Sequence, residues 1–451
     1  MAFIDFWSNA FQVFVLRSRS CWNPVRLVAG LLNLLFLYFI SWWEGIMANQ
    51  VPYLYRKLKA NGGDFCCAGG VWLSDFDDIA QALTEPQARS YRLASSLIDP
   101  KHIPMIPEHG RNVFLLSLSD KDAGGNGDHE AFRAAMDDFV FNDQITMERQ
   151  NNTAICDVLF SKLASDYLEM GHSDTFFHKD NDRGWKDFLL RYLHYVVFGL
   201  DPTDDKIMKP LDKLHNDSAS AAYYLKHVGN ALQCCAFRKW PERFTAAGDI
   251  YAKSPALKDF TTQAKYNQIT NHELSMALLA IMSLAGMVGP HTLGVICLGQ
   301  RPFNDYAGHD TKDIDVTKIW DALDLDNREE VKNYIFECGR LRTPVSNTHK
   351  IATAEFTTKI RGKNVTFPKG TTIFIPMQLA MINEAFWGPT TFKFDHNREK
   401  LCPFSMMFHS VGDKSNGRLC PGRGIAMRML TDVLITLGKV RRSHPEKFQS
   451  T

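Results

Sequence analysis

The sequence lacks an excess of charge of either sign. Its 451 residues include 51 basic and 50 acidic side chains, so the net charge predicts neither a nucleic acid nor another polyanion as a partner. Internal repeats, low-complexity tracts and obvious interdomain linkers are also missing. A chain of this length can bury a sizeable core, either as one large domain or as two ordinary ones.

Regularly spaced cysteines are missing as well. Ten cysteines scattered over the chain do not form the pattern of a disulfide framework, which favours a reducing compartment. The adjacent pairs Cys66–Cys67 and Cys234–Cys235 do not have the C-x-x-C spacing of a zinc site. Aromatic residues, by contrast, make up 12% of the chain and suit a large apolar interior or pocket.

One long uncharged run lies near the N-terminus. Residues 27–43 are seventeen residues without a charge, preceded by arginines and closed by two tryptophans, as in a membrane span of minimal length. A buried helix is one alternative, and a secretory signal peptide fits poorly because bulky residues occupy its cleavage position. Residues 1–16 are a second apolar stretch that suits the membrane interface. We therefore expect a membrane anchor with an interfacial segment over residues 1–45.

Hydrophobic periodicity predicts a mostly helical fold with a small β region, an α+β arrangement. A pair of short strands is expected around residues 64–73, and a polar loop over residues 116–128. Helices are expected from residue 129 to about 300, and again over 328–341 and 425–437. Strands are expected at 351–360, 363–367 and 371–375.

Cys420 carries the strongest chemical signal. It lies between a loop rich in Gly and Asn and an apolar run with helical spacing, Ile425 to Leu437. Backbone N–H groups and the positive end of a helix dipole favour an ionised sulfur at such a position. A thiolate is a strongly electron-donating axial ligand for haem iron. The alternative is a buried structural cysteine.

Three charged residues could support the Cys420 loop. Glu337 and Arg340 are three residues apart on a predicted helix, so they share a face and can pair. Arg398 follows, twenty-two residues before Cys420. Alone, the Glu–Arg pair would be an ordinary surface contact. If it is buried, a glutamate between two arginines is satisfied only as a network.

These residues in this order resemble the cytochrome P450 family. Glu337 and Arg340 match its E-x-x-R motif, Arg398 takes the place of the arginine in P-E-R-F, and Arg-Leu-Cys420-Pro-Gly matches its cysteine loop. The resemblance extends from about residue 46 to the end. It implies a cytochrome P450 fold, with an N-terminal anchor before a haem domain over residues 46–451. It also implies haem b as cofactor, with Cys420 as the metal ligand.

The resemblance further implies residues that hold the haem propionates. His129 and Arg133 match the family's pattern in the C helix, and at i,i+4 both can donate to one carboxylate. Arg418, two residues before the cysteine, would be a third donor. His349 takes a position where many members place an Arg or His. Without a haem, each of these would be an ordinary surface or core residue.

The chain departs from the family in the cysteine loop and at its end. Asp413 and Asn416 stand where members have Phe and Gly, and Phe408 lies twelve residues before Cys420, so the loop is about five residues longer. The sequence ends thirty-one residues after Cys420, before the hairpin that lines the substrate pocket in typical members. We expect either a truncated chain or a pocket that is closed differently.

The helix on the oxygen side departs further. The family places an acid and a Thr after A-G-x, where they supply protons during oxygen activation; Val288 and Gly289 take these positions here. Pro290 should free the Gly286 carbonyl and kink the helix. The G-x-x-G-P pattern resembles the branch that contains sterol 7α- and 12α-hydroxylases and prostacyclin synthase.

Two registers are open for the catalytic residues of this helix. One gives His291 and Thr292 the roles of acid and alcohol. The rival register, taken from the G-x-x-G-P branch, places Met287 and Val288 at the polar positions. In a third interpretation, His291 and Thr292 only cap the kink.

The resemblance implies a monooxygenase that oxidises a lipophilic small molecule, such as a lipid, a sterol-like compound or a secondary metabolite. Its partners would be O2, NADPH-cytochrome P450 reductase and the endoplasmic reticulum membrane, with the catalytic domain facing the cytosol. One alternative is an isomerase or lyase of lipid hydroperoxides or endoperoxides, which needs no proton relay. The other is an inactive haem-binding homologue, for which the short C-terminus is an argument.

Overall fold

The structure is a computed structural model that describes most of the chain from residue 65 onward. The described residues are 65–67, 70–89, 115, 118–121, 124–178, 182–215, 240–306, 309–346, 348–369, 371–412 and 418–448. The expected membrane anchor and interfacial segment, residues 1–45, lie outside them. Within the described ranges, no helix combines the length and the apolar character needed to cross a bilayer.

Helices dominate the described chain, as the periodicity predicts. The first group is α1 Phe76–Thr84, α2 Asp128–Phe139, α3 Asp143–Gln150, α4 Thr153–Met170, α5 Asp174–His178, α6 Gly184–Phe198, α7 Trp240–Ala252, α8 Asn271–Ile281 and α9 Val288–Cys297. The second is α10 Val316–Ala322, α11 Arg328–Leu341, α12 Met377–Met381, α13 Glu384–Trp387, α14 Arg423–Ser443 and α15 Pro445–Phe448. Residues 205–215 are also helical.

Strands form a five-stranded sheet and a separate hairpin. The strands are β1 Phe65–Cys67, β2 Gly70–Trp72, β3 Ala88–Arg89, β4 Thr348–Ala352, β5 Phe356–Ile360, β6 Lys363–Phe367 and β7 Thr372–Ile375. The larger sheet has the order β1-β2-β7-β4-β3, with β2 and β7 parallel and the other neighbours antiparallel. Strands β5 and β6 pair only with each other.

The single strand predicted over residues 351–360 is wrong, because the chain forms two strands there in different sheets. Thr353 ends β4 by turning away from the strand direction. Its backbone N–H and its hydroxyl both donate to the carbonyl of Gln87, at 2.9 and 3.0 Å. β5 then begins at Phe356 and pairs with β6. The other expected strands are confirmed.

The last part of the stretch predicted to be helical, up to about residue 300, forms α8 and α9, which differ in phase. Thr270 and Glu273 form a capping box at the start of α8. Residues Met282–Gly286 then form a π-helical turn, in which the Met287 N–H donates to the Met282 carbonyl at 2.9 Å. Pro290 lies in the first turn of α9, where a missing N–H is tolerated. The irregularity precedes the proline, and the extra residue rotates the faces of α9 relative to those of α8.

The core brings the candidate site together from distant parts of the sequence. α11 contacts both α9 and α14, and α6 contacts α4 and α9. The closest approach is at Gly294 of α9, where an added Cβ would lie 2.2 Å from the ring of the buried Trp185 in α6. The helix that follows Cys420 is therefore packed into the centre of the fold.

Candidate active site

Cys420 lies in the turn that leads into α14, as its position in the sequence predicts. Gly422 is the N-cap of that helix. The backbone N–H of Cys420 donates to the carbonyl of Phe408 at 3.3 Å, and its own carbonyl accepts from the N–H of Arg423 at 3.3 Å. The side chain is half-buried. The sulfur is therefore held by backbone contacts on both sides.

Burial and the surrounding donors act in opposite directions on the ionisation of this sulfur. Burial raises the pKa of the Cys420 thiol, while the N–H groups of Gly422 and Arg423 and the charges of Arg133 and Arg423 lower it only in part. The sequence argument considered the helix terminus, which favours ionisation, but not burial, which opposes it. A metal cation removes the proton of a thiol that it binds. The thiolate would form on ligation.

Glu337 and Arg340 of α11 form an ion pair with no solvent exposure. Arg340 donates from Nε to Glu337 Oε2 at 2.7 Å and from Nη2 to Oε1 at 2.8 Å, which is a bidentate pair. Arg398 donates from Nε to the same Oε1 at 3.2 Å, and the backbone N–H of Asp395 does so at 2.9 Å. One carboxylate thus satisfies two guanidinium groups, which is the network that burial requires.

Packing connects this ion network to the Cys420 turn. Gly339 of α11 lies against Met407, and an added Cβ would be 2.2 Å from the Met407 sulfur. Met407 belongs to a short 3-10 turn, Met406–Phe408, whose last carbonyl accepts the Cys420 N–H. α11 therefore positions the turn to which the Cys420 backbone is bonded. Asp413 and Asn416, the departures in the cysteine loop, lie outside the described residues.

Asp120 brings together two of the side chains expected to hold a propionate. Its Oδ1 lies 2.8 Å from Nδ1 of His129, and its Oδ2 accepts a hydrogen bond from Nη2 of Arg418. The three side chains are between 6% and 11% exposed. His129 comes from the first turn of α2 and Arg418 from the cysteine turn. The two donors therefore converge on one carboxylate.

Arg133 links α2 directly to the cysteine turn. Its Nη1 donates to the carbonyl of Leu419 at 2.7 Å, and its Nε lies 2.8 Å from the Asp137 carboxylate. It follows His129 by one helical turn, so both lie on the side of α2 that meets the turn. His349, the fourth expected donor, lies on β4 opposite Phe374 of β7. Its role at a propionate stays a prediction.

Comparisons with known proteins agree with this geometry. Residues 318–437, which contain the ion network and Cys420, match the family model of cytochrome P450. Among solved structures, P450BioI in complex with a hexadec-9Z-enoic acid ligated acyl carrier protein has a TM-score of 0.58 and 15% identity, and the match covers 89% of this chain and 93% of that one. A search of curated protein sequences found no significant match.

Two further structures show the same fold. Cytochrome P450 CYP150A6 of Mycobacterium marinum has a TM-score of 0.57 and 14% identity, covering 88% of this chain and 86% of its own. CYP109B1 of Bacillus subtilis has a TM-score of 0.58 and 11% identity, covering 86% and 91%. The chain has the fold of the cytochromes P450, and residues 318–437 match the model of that family. It is an oxidoreductase of the P450 monooxygenase type, mostly helical with small sheets.

A cytochrome P450 carries haem b with a cysteine thiolate on the iron, and the described residues fit that group. Cys420, in the stretch that matches the family model, would supply the sulfur. Asp120 shows that Arg418 and His129 can bind a carboxylate, which is the chemical group of a propionate. The assignment of the chain to the sterol hydroxylase and prostacyclin synthase branch stays a prediction.

The helix expected on the oxygen side, α9, presents two different faces. Met287, His291 and Gly294 have i,i+4,i+7 spacing and share the face that packs on the core, where Gly294 meets Trp185. Val288 and Thr292 share another face, which is partly open: Val288 is 36% exposed and Thr292 is half-buried. The structure therefore places His291 and Thr292 on different faces of α9, and Thr292 on the same face as Val288. It also separates Met287 from Val288.

His291 lies in a protein-packed environment. Its Nε2 is 3.1 Å from the carbonyl of Phe177, and its ring lies 5.6 Å from that of His178. Burial lowers the pKa of His291 to about 4, helped by the positive charges of Lys186 and Arg301. A neutral imidazole that donates to a backbone carbonyl holds α9 against α5. This contact fits a structural role for His291 better than a role as a proton donor to substrate.

Sequence reasoning missed two residues of this site. Asp120 lies in the polar loop before α2, where an Asp is ordinary, and no pattern marks it as a partner of Arg418. Arg423 lies over the rings of Phe336 and Phe408, with its guanidinium carbon 5.7 Å from each centroid. Its place directly after Cys-Pro-Gly was a usable signal, because a cation three residues from a thiol lowers the pKa of that thiol.

Proposed function

We propose that this cytochrome P450 oxidises a lipophilic small molecule, such as a lipid, a sterol-like compound or a secondary metabolite, with O2 and with electrons from an NADPH-dependent reductase. The observation that carries the proposal is the position of Cys420. Its sulfur lies at the start of α14, on a turn tied to the buried network of Glu337 and beside Arg133. Haem, when bound there, supplies oxygen activation, and its thiolate ligand favours O–O cleavage.

The residues of the chain would divide the work between them. Glu337, Arg340 and Arg398 hold the cysteine turn rigid, because a satisfied buried network fixes the geometry of every member. His129, Arg133 and Arg418 would hold the propionates, with His349 as a further candidate. Thr292 is the hydroxyl on the open face of α9 and would hold a proton or a water there. His291 would position α9.

A lipophilic substrate is supported by the open face of α9 and by the structural relatives. Val288 exposes an apolar side chain beside Thr292. P450BioI is described with a fatty acid attached to a carrier protein, and P450 RauA, with a TM-score of 0.54 and 14% identity, with a biosynthetic intermediate of aurachin RE. We infer a substrate of comparable apolar character for this chain.

A membrane position belongs to the same proposal. Residues 27–43 would anchor the chain to the endoplasmic reticulum, with the catalytic domain in the cytosol and NADPH-cytochrome P450 reductase as the electron donor. The support is the uncharged run itself with its flanking arginines and tryptophans. Such a location would give the site access to substrates dissolved in the lipid phase.

One observation favours a second function. Val288 stands where the family has an acid, and it shares the open face of α9 with Thr292. An isomerase or lyase of lipid hydroperoxides or endoperoxides starts from an existing O–O bond and needs no proton relay. An apolar face would then be sufficient. The missing acid is the only feature that distinguishes the two functions in the described residues.

The first test concerns the ligand. Purified, reduced protein exposed to carbon monoxide should give the Soret band of a haem-thiolate, and Cys420→Ser should abolish it. Cys402→Ser, at an exposed cysteine in the same region, is the matched control and should keep the band. A wild-type protein without that band, or a Cys420→Ser variant that keeps it, would overturn the haem-thiolate assignment.

The second test separates the two reactions. The haem-loaded protein is incubated with a fatty-acid hydroperoxide without reductant, and separately with O2, NADPH, the reductase and a panel of lipophilic compounds. Oxygenated product in the second reaction alone supports monooxygenation. Rapid consumption of the hydroperoxide in the first, with no NADPH-dependent product, would replace the main proposal by the isomerase or lyase.

A further inference from the structure

Asp120 occupies the donors that a haem propionate needs. Its two carboxylate oxygens are divided between His129 and Arg418, and all three side chains are nearly inaccessible to solvent. A guanidinium group buried to this extent is costly without a counter-charge. Asp120 supplies that charge from within the chain. The donors of His129 and Arg418 are therefore satisfied by a carboxylate of the chain itself.

The backbone around Asp120 is fixed independently of its side chain. The N–H of His129 donates to the carbonyl of Ser119 at 3.1 Å, and the N–H of Gly125 donates to the carbonyl of Asp120 at 3.0 Å. These bonds hold the loop against the start of α2. The Asp120 carboxylate can therefore leave its partners by side-chain rotation while the backbone stays in place.

A haem propionate and the Asp120 carboxylate carry the same charge and accept the same hydrogen bonds. Two ionised carboxylates that share the same hydrogen-bond donors repel each other. This repulsion disfavours a state in which both stay ionised and bound there. Arg133 does not relieve this conflict, because its Nε is bound to Asp137 and its Nη1 to the Leu419 carbonyl. The addition of a propionate must therefore weaken the contacts of Asp120.

We propose that Asp120 is a placeholder for a haem propionate, and that haem uptake exchanges one carboxylate for the other on Arg418 and His129. The placeholder stabilises the haem-free chain and lowers its affinity for haem. This inference rests on the proposed haem site at Cys420. It assigns to Asp120 a positioning role that is separate from the reaction.

The experiment titrates the haem-free full-length chain with haemin and follows the Soret absorbance. Asp120→Asn keeps an acceptor of similar shape but removes the competing charge. We expect it to bind haemin on the order of tenfold more tightly than the wild type, the effect of about one charge-assisted hydrogen bond. The haem-free variant should also melt at a lower temperature than the wild type, since Arg418 has lost its counter-charge.

Haemin dimethyl ester is the probe that isolates the exchange. It lacks propionate charges, so Asp120→Asn should change its affinity much less than that of haemin. Asp321→Asn is the matched control, because Asp321 pairs with the buried Arg441 through two bonds of 2.8 Å in another part of the fold. That variant should lower the melting temperature without changing haemin affinity. Asp120→Ser provides a second uncharged variant if Asp120→Asn does not fold.

Three results would contradict the proposed role of Asp120. Unchanged or weaker haemin binding by both uncharged variants would overturn the proposal, and would show that Asp120 holds the donors in place for haem. An equal gain with the dimethyl ester would also overturn it, because the effect would not involve propionates. A wild-type chain that binds no haemin, or binds it equally well after Cys420→Ser, refutes the proposed site itself, and the placeholder falls with it.

Discussion

The two sides of the candidate haem site are built in different ways. On the sulfur side, Glu337 and Arg340 are fully buried, and their contacts reach the Cys420 turn through Gly339 and Met407. On the oxygen side, a π-helical turn precedes α9, and Val288 stands partly exposed beside Thr292. Buried charges and packing both fix the geometry of the sulfur side. The geometry of the oxygen side depends on the orientation of one helix, α9.

This difference predicts that substitutions on the sulfur side cost more stability than substitutions on the oxygen side. A buried charge must keep its partner, so each member of the ion network constrains the others. An open helix face has no comparable requirement, and a Val can stand where relatives have an acid. The geometry of the sulfur side is therefore fixed by its buried charges, and that of the oxygen side is not.

The largest effect should come from breaking the rigid side. Glu337→Gln removes the negative charge between Arg340 and Arg398, and we expect it to lower the free energy of unfolding by about 3–5 kcal/mol. Urea unfolding of the soluble variant, or its loss from the soluble fraction, measures this. Glu329→Gln, in an exposed pair with Lys332 on the same helix, should cost less than about 0.5 kcal/mol. A similar loss of unfolding free energy in the two variants would contradict the view that buried charges make the sulfur side rigid.

Much of the rigid side could be predicted from the sequence, and the reason is physical. The glutamate and its two arginines can be recognised in the sequence by their order and spacing. The helix over residues 328–341 was predicted with its observed ends. The partner of Arg418 could not be predicted, because Asp120 lies almost three hundred residues away in a loop without a pattern. The pKa of Cys420 was also missed, since burial is a property of the folded chain.

The open side could be predicted only in outline. The apolar run over residues 272–298 indicated a long helix, and a helix is present. The pairing of residues on α9 depends on its phase, and the π turn at Met282–Gly286 has no signature in a single sequence. The faces that carry His291 and Thr292 could therefore be assigned only from the folded structure.

The second prediction concerns the pH dependence of stability at His291. Its pKa in the folded protein is lowered to about 4, so the neutral ring contributes stability above pH 6.5 that is lost as the pH falls toward 4. His291→Gln cannot take up a proton. We expect the wild type to lose stability relative to this variant by up to about 1.4 kcal/mol per pH unit across that window. Urea unfolding at several pH values measures the difference.

His444→Gln, at an exposed position near the C-terminus, is the control for this window. It should follow the wild-type curve more closely than His291→Gln does. Parallel curves for the wild type and His291→Gln would mean that the imidazole of His291 is not buried, and the assignment of its face would be wrong.

The third prediction compares two glycines of α9. Gly294→Ala places a Cβ 2.2 Å from Trp185, and we expect a loss of about 1–3 kcal/mol from overpacking. Gly289→Ala meets no atom within 4 Å, and a helical Ala should gain up to about 1 kcal/mol. Thermal unfolding of both variants measures the contrast. A loss at Gly289 as large as that at Gly294 would show that the open face is covered.

The smallest effect on stability, and the most informative for function, should come from Thr292. Thr292→Val keeps the shape of the side chain on a half-buried position, so its free energy of unfolding should stay within about 0.5 kcal/mol of the wild type. If the hydroxyl holds the proton for oxygen activation, more of the NADPH consumed with the reductase should appear as hydrogen peroxide. Val288→Ala on the same face is the control and should leave that ratio unchanged. An unchanged ratio in Thr292→Val would remove Thr292 from the mechanism and favour the peroxide isomerase, which needs no relay.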